Sequence, residues 1–209
     1  MPTLALLGDS ILDNQAYAKP ALDTASHLRN SLGSDWNVEL LAQDGATISD
    51  TRFQLSSVPA RTDFAVLSAG GNDAVEHLGL LTQAARSAAE VLEALHEIGP
   101  FREHYESLLE GLRPKVDRLV VCTIYEPPRS DRTAARLATV PLAVLNDRII
   151  RAAARLGADI LDLRSVCTAT SDFVLEIEPS PSGAAKIAQA IHRAMVAAHG
   201  QASVRLFAT

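Results

Sequence analysis

The stretch LALLGDS, residues 4–10, joins an apolar run to a small polar turn close to the start of the chain. A short apolar run that ends in such a turn predicts a buried strand, and this one would deliver Ser10 to the rim of a sheet. Aspartate and serine are also common in turns and at helix starts, and glycine often ends a strand. The stretch therefore predicts a strand and makes Ser10 a candidate nucleophile.

Two later stretches have the same form. Residues 38–47 (VELLAQDGAT) and residues 64–73 (FAVLSAGGND) each pass from an apolar run to small polar residues. Acyl transfer through serine needs a hydroxyl, a base for its proton and N–H donors for the oxyanion that forms. Gly45 offers a backbone N–H without an obstructing side chain, and Asn72 offers a side-chain amide. The three strand ends thus hold the residue types of an oxyanion hole.

The order and spacing of these blocks resemble the SGNH, or GDSL, hydrolase superfamily of serine esterases and lipases. Its first block is matched by residues 8–10 (GDS), its second by Gly45 and its third by residues 71–73 (GND). The resemblance runs from residue 4 to about residue 195. Each block alone is common, but their joint occurrence at these separations is fairly specific.

The resemblance implies a function for each matched residue. Ser10 would be the nucleophile, and its own N–H, the N–H of Gly45 and the amide of Asn72 would form the oxyanion hole. Asp9 and Asp73 flank these residues, and we assign them as substrate-binding candidates.

The fourth block departs from the family pattern. In the family it reads Asp-x-x-His-Pro before the C-terminal helix, whereas residues 175–183 read LEIEPSPSG, with Glu178 at the histidine position and Leu175 at the aspartate position. A carboxylate is a weaker base at neutral pH because its reference pKa is about 4.3, against about 6.5 for imidazole. Burial beside Ile177 would raise that pKa. Glu178 is either the general base or a structural carboxylate that caps the next helix, and both interpretations stay open.

His77 is a second candidate for the base, because it follows Asn72 by five residues. We expect it to face solvent at the start of a helix.

The composition predicts one compact domain over residues 1–209, because 47% hydrophobic content suffices to bury a full core. The net charge of −6 disfavours nucleic acid as a partner. No segment approaches the roughly 20 apolar residues of a membrane span, and no leader pattern precedes the first strand, so we expect a cytoplasmic location. Cys122 and Cys167 lack metal-site spacing and are predicted to be free thiols.

Short apolar strands alternate with longer helical patterns, which predicts an α/β fold with a parallel sheet covered by helices. The resemblance narrows this to the three-layer α/β/α sandwich of the flavodoxin-like SGNH fold, with a five-stranded parallel sheet. The predicted strands cover about 3–7, 37–42, 63–69, 117–123 and 158–162. The predicted helices cover about 17–32, 49–57, 80–112, 133–156 and 181–199.

The predicted function is hydrolysis of small carboxylic esters with a short acyl group, such as acetyl. Ser10 would carry the acyl group, Glu178 would replace the usual histidine, and no metal or other cofactor is expected. With no long insertion in the sequence, we expect an open and shallow pocket. Two alternatives stay open: a weak or inactive protein that binds an acyl or acetylated ligand, and an enzyme that transfers the acyl group to an alcohol.

Overall fold

The computed structural model describes residues 1–77, 79, 84–96, 100–128, 132–197 and 205–208. Six strands form a parallel sheet: β1 Thr3–Gly8, β2 Asn37–Leu40, β3 Thr62–Ser68, β4 Val116–Cys122, β5 Asp159–Leu161 and β8 Leu206–Phe207. Their order is β2-β1-β3-β4-β5-β8. Two further strands, β6 Phe173–Val174 and β7 Glu178–Pro179, form a separate antiparallel hairpin.

Helices cover both faces of the sheet. The helices of the described residues are α1 Gln15–Ala18, α2 Thr24–Leu32, α3 Ile48–Gln54, α4 Gly71–Glu76, α5 Ala88–His96, α6 Phe101–Leu112, α7 Arg132–Arg155, α8 Leu163–Val166 and α9 Pro181–Val196. Helices α2 and α9 pack together over one apolar core, while α3, α6 and α7 cover the core on the other face. The predicted three-layer architecture is confirmed.

The direction in which successive strands are placed in the sheet reverses between β1 and β3. Strand β2 lies on one side of β1, and β3 and the later strands lie on the other side. Open α/β sheets bind ligands at the carboxyl ends of the two strands that flank such a reversal. The ends of β1 and β3 lie very close to each other at this point. A Cβ built on Gly8 would lie 1.5 Å from the carbonyl oxygen of Ser68, and Gly8 has φ of +123°. Only glycine fits between these two strand ends.

All five predicted strands are present, but the sheet has a sixth strand, so the predicted number is corrected to six. Strand β8 pairs with β5 over two residues, which is too short to give a sequence pattern.

The prediction of one helix over 17–32 is wrong, since α1 ends at Ala18 and α2 starts at Thr24. Pro20 lies between them, and proline lacks the N–H that a continuous helix requires. The helix predicted over 80–112 is divided into α5 and α6, with Pro100 at the start of α6. Residues 80–83 and 97–99 of that prediction lie outside the described residues.

The starts of two helices beside the site follow from their sequence. At α3, Thr47 accepts from the Asp50 N–H and Asp50 accepts from the Thr47 N–H, forming a capping box. At α9, Ser180 accepts from the Gly183 N–H and Pro181 occupies the first turn. Each cap fixes where the preceding loop enters its helix, and so fixes the loop that carries Gly45 and the hairpin that carries Glu178.

Cys122 and Cys167 are free, as predicted, and both are buried. None of the helices in the described residues is long and apolar enough to cross a membrane.

Candidate active site

The turn that carries Ser10 is stabilised by hydrogen bonds to a buried glutamine. Gln54, at the end of α3, accepts from the Gly8 N–H at 2.8 Å and donates to the Gly8 carbonyl at 2.9 Å. The Asp9 N–H donates to the Ser68 carbonyl at 3.1 Å, which ties the turn to the end of β3. Both peptide groups of Gly8 are thereby satisfied without water, so the turn that places Ser10 is well fixed.

Asp9 is part of this turn and is buried, at 3% exposed. Its Oδ1 accepts from the Ser68 hydroxyl at 3.1 Å and from the Ile11 N–H at 3.2 Å. Burial raises the pKa of Asp9 from 3.8 to about 7, while these two hydrogen bonds lower it and the nearby charge of Glu178 raises it. Asp9 therefore holds a proton well above the pH at which an exposed aspartate loses it.

This raised pKa makes the stability of the protein depend on pH. Between pH 5 and 7 the folded protein binds a proton on Asp9 that the unfolded chain has released, so the free energy of unfolding falls as pH rises. The free energy of unfolding of the wild type should fall by about 3 kcal/mol between pH 5 and 8, and we expect Asp9→Asn to abolish this fall. The asparagine oxygen can accept both bonds that Oδ1 accepts. Urea unfolding of both proteins at the two pH values measures the difference.

The matched control is Asp117→Asn, which changes an exposed aspartate on β4 and should leave the wild-type pH dependence intact. Parallel stability curves for wild type and Asp9→Asn would show that Asp9 does not titrate in this range.

Three oxyanion donors are predicted. The N–H of Ser10 lies after β1, the N–H of Gly45 lies in the loop before α3, and the amide of Asn72 lies in the first turn of α4. Asn72 lines the same cavity as Ser10, and its amide donates to the Ala46 carbonyl at 2.9 Å. This bond holds the segment next to Gly45, which has φ of +77°. Among the described residues, the backbone N–H groups of Ser10 and Gly45 donate to no other group. Asn72 has a second amide hydrogen, so all three donors have a hydrogen available.

Gly45 itself does not line the cavity within the described part of the chain. Asp73 does not line it either, and its Oδ2 accepts from the Ile48 N–H at 3.0 Å, at the first turn of α3. Burial raises the pKa of Asp73, and the hydrogen bond from Ile48 lowers it. This contact gives Asp73 a structural function, and its contact with substrate stays a prediction.

Glu178 begins β7 and lines the cavity together with Ser10. Burial raises the pKa of Glu178, the hydrogen bond from the Ser10 side chain lowers it, and the charge of Asp44 raises it, with a net rise. Its Oε2 atom is buried and has no hydrogen-bond partner among the described residues. The structure therefore brings Ser10 and Glu178 together, and it makes the carboxylate a stronger base than an exposed glutamate.

The hairpin that carries Glu178 is fixed by two side chains from other parts of the chain. The Tyr125 hydroxyl donates to the Ile177 carbonyl at 2.5 Å, and its ring meets Phe173 edge-on at 4.9 Å between centroids. Asn14 donates to the Pro179 carbonyl at 3.4 Å. The sequence predicts that the loop of residues 125–132 shapes substrate choice, but it gives no pattern that would assign Tyr125 to positioning the base. Its position makes it the main support of the base.

We expect Tyr125→Phe to lower kcat about five- to tenfold, because it leaves the Ile177 carbonyl without its donor and frees the hairpin to shift. The phenylalanine ring still packs on Phe173, so KM should change little. If Glu178 moves away from Ser10, it loses the bond that lowers its pKa, and the acidic limb of the pH profile moves to higher pH. Steady-state kinetics across pH measure both effects.

Tyr105→Phe is the matched control, because the Tyr105 hydroxyl is equally buried and has no hydrogen-bond partner among the described residues. It should keep the wild-type kcat and pH profile. A Tyr125→Phe enzyme with the same kcat and profile as this control would show that Tyr125 does not position Glu178.

Ser10 lies at one side of a cavity of about 100 Å³ that extends between α4 and α7. We expected an open and shallow pocket, and a cavity between these two helices was not part of that expectation. His77 also lines the cavity, at the end of α4, and its Nδ1 contacts the Asp73 carbonyl at 2.7 Å. The prediction that His77 faces solvent at a helix start is therefore wrong. In the described part of the chain, no three His, Cys, Asp or Glu side chains are grouped to hold a metal ion.

Comparison with known proteins gives a consistent result. The sequence profile of the GDSL-like lipase/acylhydrolase family matches residues 6–186. None of the curated proteins compared with the chain matches it.

Solved structures with the same fold include the lipase Lip_vut3 from a goat rumen metagenome, at 16% identity and a TM-score of 0.72, with 93% of this chain and 97% of that chain covered. A phospholipase A1 from Streptomyces albidoflavus is 17% identical, with a TM-score of 0.69 over 92% of this chain and 98% of its own. The acetylxylan esterase Axe2 from Geobacillus stearothermophilus is 17% identical, with a TM-score of 0.63 over 93% and 94%. At these identities the likeness shows a shared fold.

Proposed function

The chain belongs to the GDSL-like lipase/acylhydrolase family and is an ester-bond hydrolase, and from this premise we propose that it cleaves small carboxylic esters with a short acyl group through an acyl-enzyme on Ser10. We also propose that Glu178 is its general base and that residues 1–209 form one domain. The main support is that Ser10 and Glu178 line the same cavity, where Glu178 Oε2 is buried and has no hydrogen-bond partner among the described residues. A cytoplasmic location stays a prediction.

In the first half of the proposed reaction, Ser10 Oγ attacks the ester carbonyl carbon and its proton passes to the Glu178 carboxylate. The carbonyl oxygen becomes an oxyanion, which accepts from the N–H groups of Ser10 and Gly45 and from the Asn72 amide. When the intermediate collapses, the bond to the leaving oxygen breaks and Glu178 returns its proton to the departing alcohol. Ser10 is left as an ester of the acyl group.

In the second half, water replaces the alcohol and follows the same steps in reverse. Glu178 takes a proton from water as its oxygen attacks the acyl carbon, and Ser10 leaves with that proton. An alcohol in place of water would give transfer of the acyl group by the same residues. Product analysis with added methanol distinguishes the two, since transfer yields the methyl ester.

Glu178 needs to be ionised to accept the proton. Because burial and Asp44 raise its pKa, its basicity moves towards that of the imidazole it replaces. As a consequence, the fraction of the enzyme in which Glu178 is ionised falls at acidic pH. Asp9, also in the cavity wall, is protonated over part of this range and so adds little negative charge beside Glu178.

Labelling with an alkyl fluorophosphonate tests the assignment of the nucleophile. Attack by a serine oxygen forms a phosphonyl ester and expels fluoride, and peptide mapping identifies the labelled residue. We expect the label on Ser10 in the wild type and no label in Ser10→Ala. Ser68 also lines the cavity, but its hydroxyl donates to Asp9. A label on Ser68 would therefore overturn the assignment of Ser10.

A further inference from the structure

The cavity beside Ser10 has two chemically different sides. Its polar side chains include Ser10, Asn72, His77 and Glu178, which lie after β1, at the two ends of α4 and in the hairpin. Its other walls come from helices and are apolar: Ala74 of α4, Leu95 of α5, and Ala138, Pro141, Leu142 and Leu145 of α7. A pocket with a few polar groups at the reacting atoms and apolar walls elsewhere suits a ligand that is polar at one end and a hydrocarbon at the other.

The size of the cavity sets the length of that hydrocarbon. A cavity needs at least about 10–15 Å³ to hold one water-sized group, so about 100 Å³ holds at most about seven to ten of them. A methylene group is similar in size to a water molecule. A chain of about six to eight carbons, counted with the carbonyl carbon, would therefore fill the space, whereas an acetyl group would leave most of it empty.

We propose that this cavity is an acyl-chain site, which selects straight acyl groups of about six to eight carbons over acetyl. The proposal rests on the proposed function, because it assigns to the cavity the acyl group that Ser10 receives. It refines the short acyl group of that function, and it places the residues that set chain length on α7.

Two residues of α7 determine the length of the site. Ala138 is 7% exposed and its small side chain leaves the space open, while Leu142 closes part of the wall. A larger residue at 138 would shorten the site, and a smaller residue at 142 would lengthen it. Leu137 lies beside Ala138 on the same helix, but it is 51% exposed and does not line the cavity in the described residues.

The test measures kcat/KM for p-nitrophenyl acetate, butyrate, hexanoate, octanoate and laurate. Each buried methylene stabilises the bound chain by about 0.8 kcal/mol, so kcat/KM should rise about fourfold per methylene until the cavity is full. We expect the highest value for hexanoate or octanoate and a fall for laurate. Values that are equal across the series, or highest for acetate, would overturn the proposal.

Two variants of α7 should shift the preferred acyl-chain length in opposite directions. Ala138→Leu should favour shorter chains, and Leu142→Ala should favour longer ones, while the control Leu137→Ala keeps the wild-type preference. If Ala138→Leu does not fold, Leu142→Ala alone still tests the site. A chain-length preference that neither variant changes would contradict the assignment of this cavity.

Binding of octanamide separates this proposal from the proposed function. Octanamide carries the same chain but has no ester to cleave, so calorimetry on Ser10→Ala reports the cavity without turnover. If no ester is hydrolysed but octanamide binds far more tightly than acetamide, the acyl-chain site stands and the catalytic proposal fails. If esters are hydrolysed but octanamide and acetamide bind equally, the catalytic proposal stands and the acyl-chain site is wrong.

Discussion

Replacing Ser10 with alanine is expected to lower kcat/KM for a p-nitrophenyl ester by at least about a thousandfold, because it removes the proposed nucleophile. Ser10 lines the cavity together with Glu178, whereas the hydroxyl of Ser68, which also lines it, donates to Asp9. The remaining rate would come from the oxyanion donors and from binding alone. Steady-state rates at pH 7 and 8, corrected for spontaneous hydrolysis, measure the loss.

The Ser10→Ala variant should fold normally, because it removes a single oxygen from a turn that Gln54 holds through Gly8. Circular dichroism and retained octanamide binding are the controls for an intact cavity. Full esterase activity in a variant that passes both controls would exclude Ser10 as the nucleophile.

Much of the site could be predicted because its residues follow strands with a clear pattern. The buried runs of β1 and β3 place the Asp9-Ser10 turn and the Asn72 turn side by side at the point where the sheet order reverses. Gly8 was matched by resemblance, and its requirement is steric, since a Cβ would meet the Ser68 carbonyl. The local pattern of each strand was enough to predict the two turns, although the steric requirement at Gly8 comes from a residue far along the chain.

The hairpin of Glu178 could not be predicted in the same way. Leu175 and Glu176, which form its turn, have φ of +48° and +71°, a region that glycine and asparagine usually occupy. The strands on each side have two residues, too few for an alternating pattern. The turn is held by distant partners, above all by the Tyr125 hydroxyl on Ile177. Such contacts between segments far apart in the chain leave no periodic signal in the sequence.

The cavity between α4 and α7 was not predicted for a related reason. Helix α4 is six residues long and packs against α7, and the space between them depends on where two helices distant in sequence approach. The absence of a long insertion gave no information about that distance. The cavity therefore depends on helix packing, whereas the proposed nucleophile and oxyanion donors follow strands that the sequence predicts.

Glu178→Gln is expected to lower kcat about 10²- to 10⁴-fold at neutral pH, the usual range for loss of a general base. Glutamine has nearly the same shape, and its amide oxygen can still accept from the Ser10 hydroxyl, so the serine stays in place but cannot give up its proton. The comparison therefore isolates proton transfer from positioning. Rates at pH 7, with octanamide binding as the test of an intact cavity, measure it.

The pH profile distinguishes a base from a structural carboxylate. The reaction needs ionised Glu178, so the wild-type kcat/KM should rise with pH through the pKa of this residue, which burial raises above 4.5. Asp44→Asn removes a charge that raises the same pKa, so the acidic limb should move to lower pH. Glu178→Gln should have no such limb. Glu176→Gln removes an exposed carboxylate two residues away and should keep the wild-type profile.

An acidic limb that persists in Glu178→Gln would assign the base to another group, and His77 is the next candidate because it lines the same cavity. His77→Gln would then remove the limb, whereas it should have no such effect if Glu178 is the base. A carboxylate can replace the family's histidine at this position only if its surroundings raise its basicity. Burial and Asp44 act in that direction, whereas the nearby Ser10 side chain opposes them.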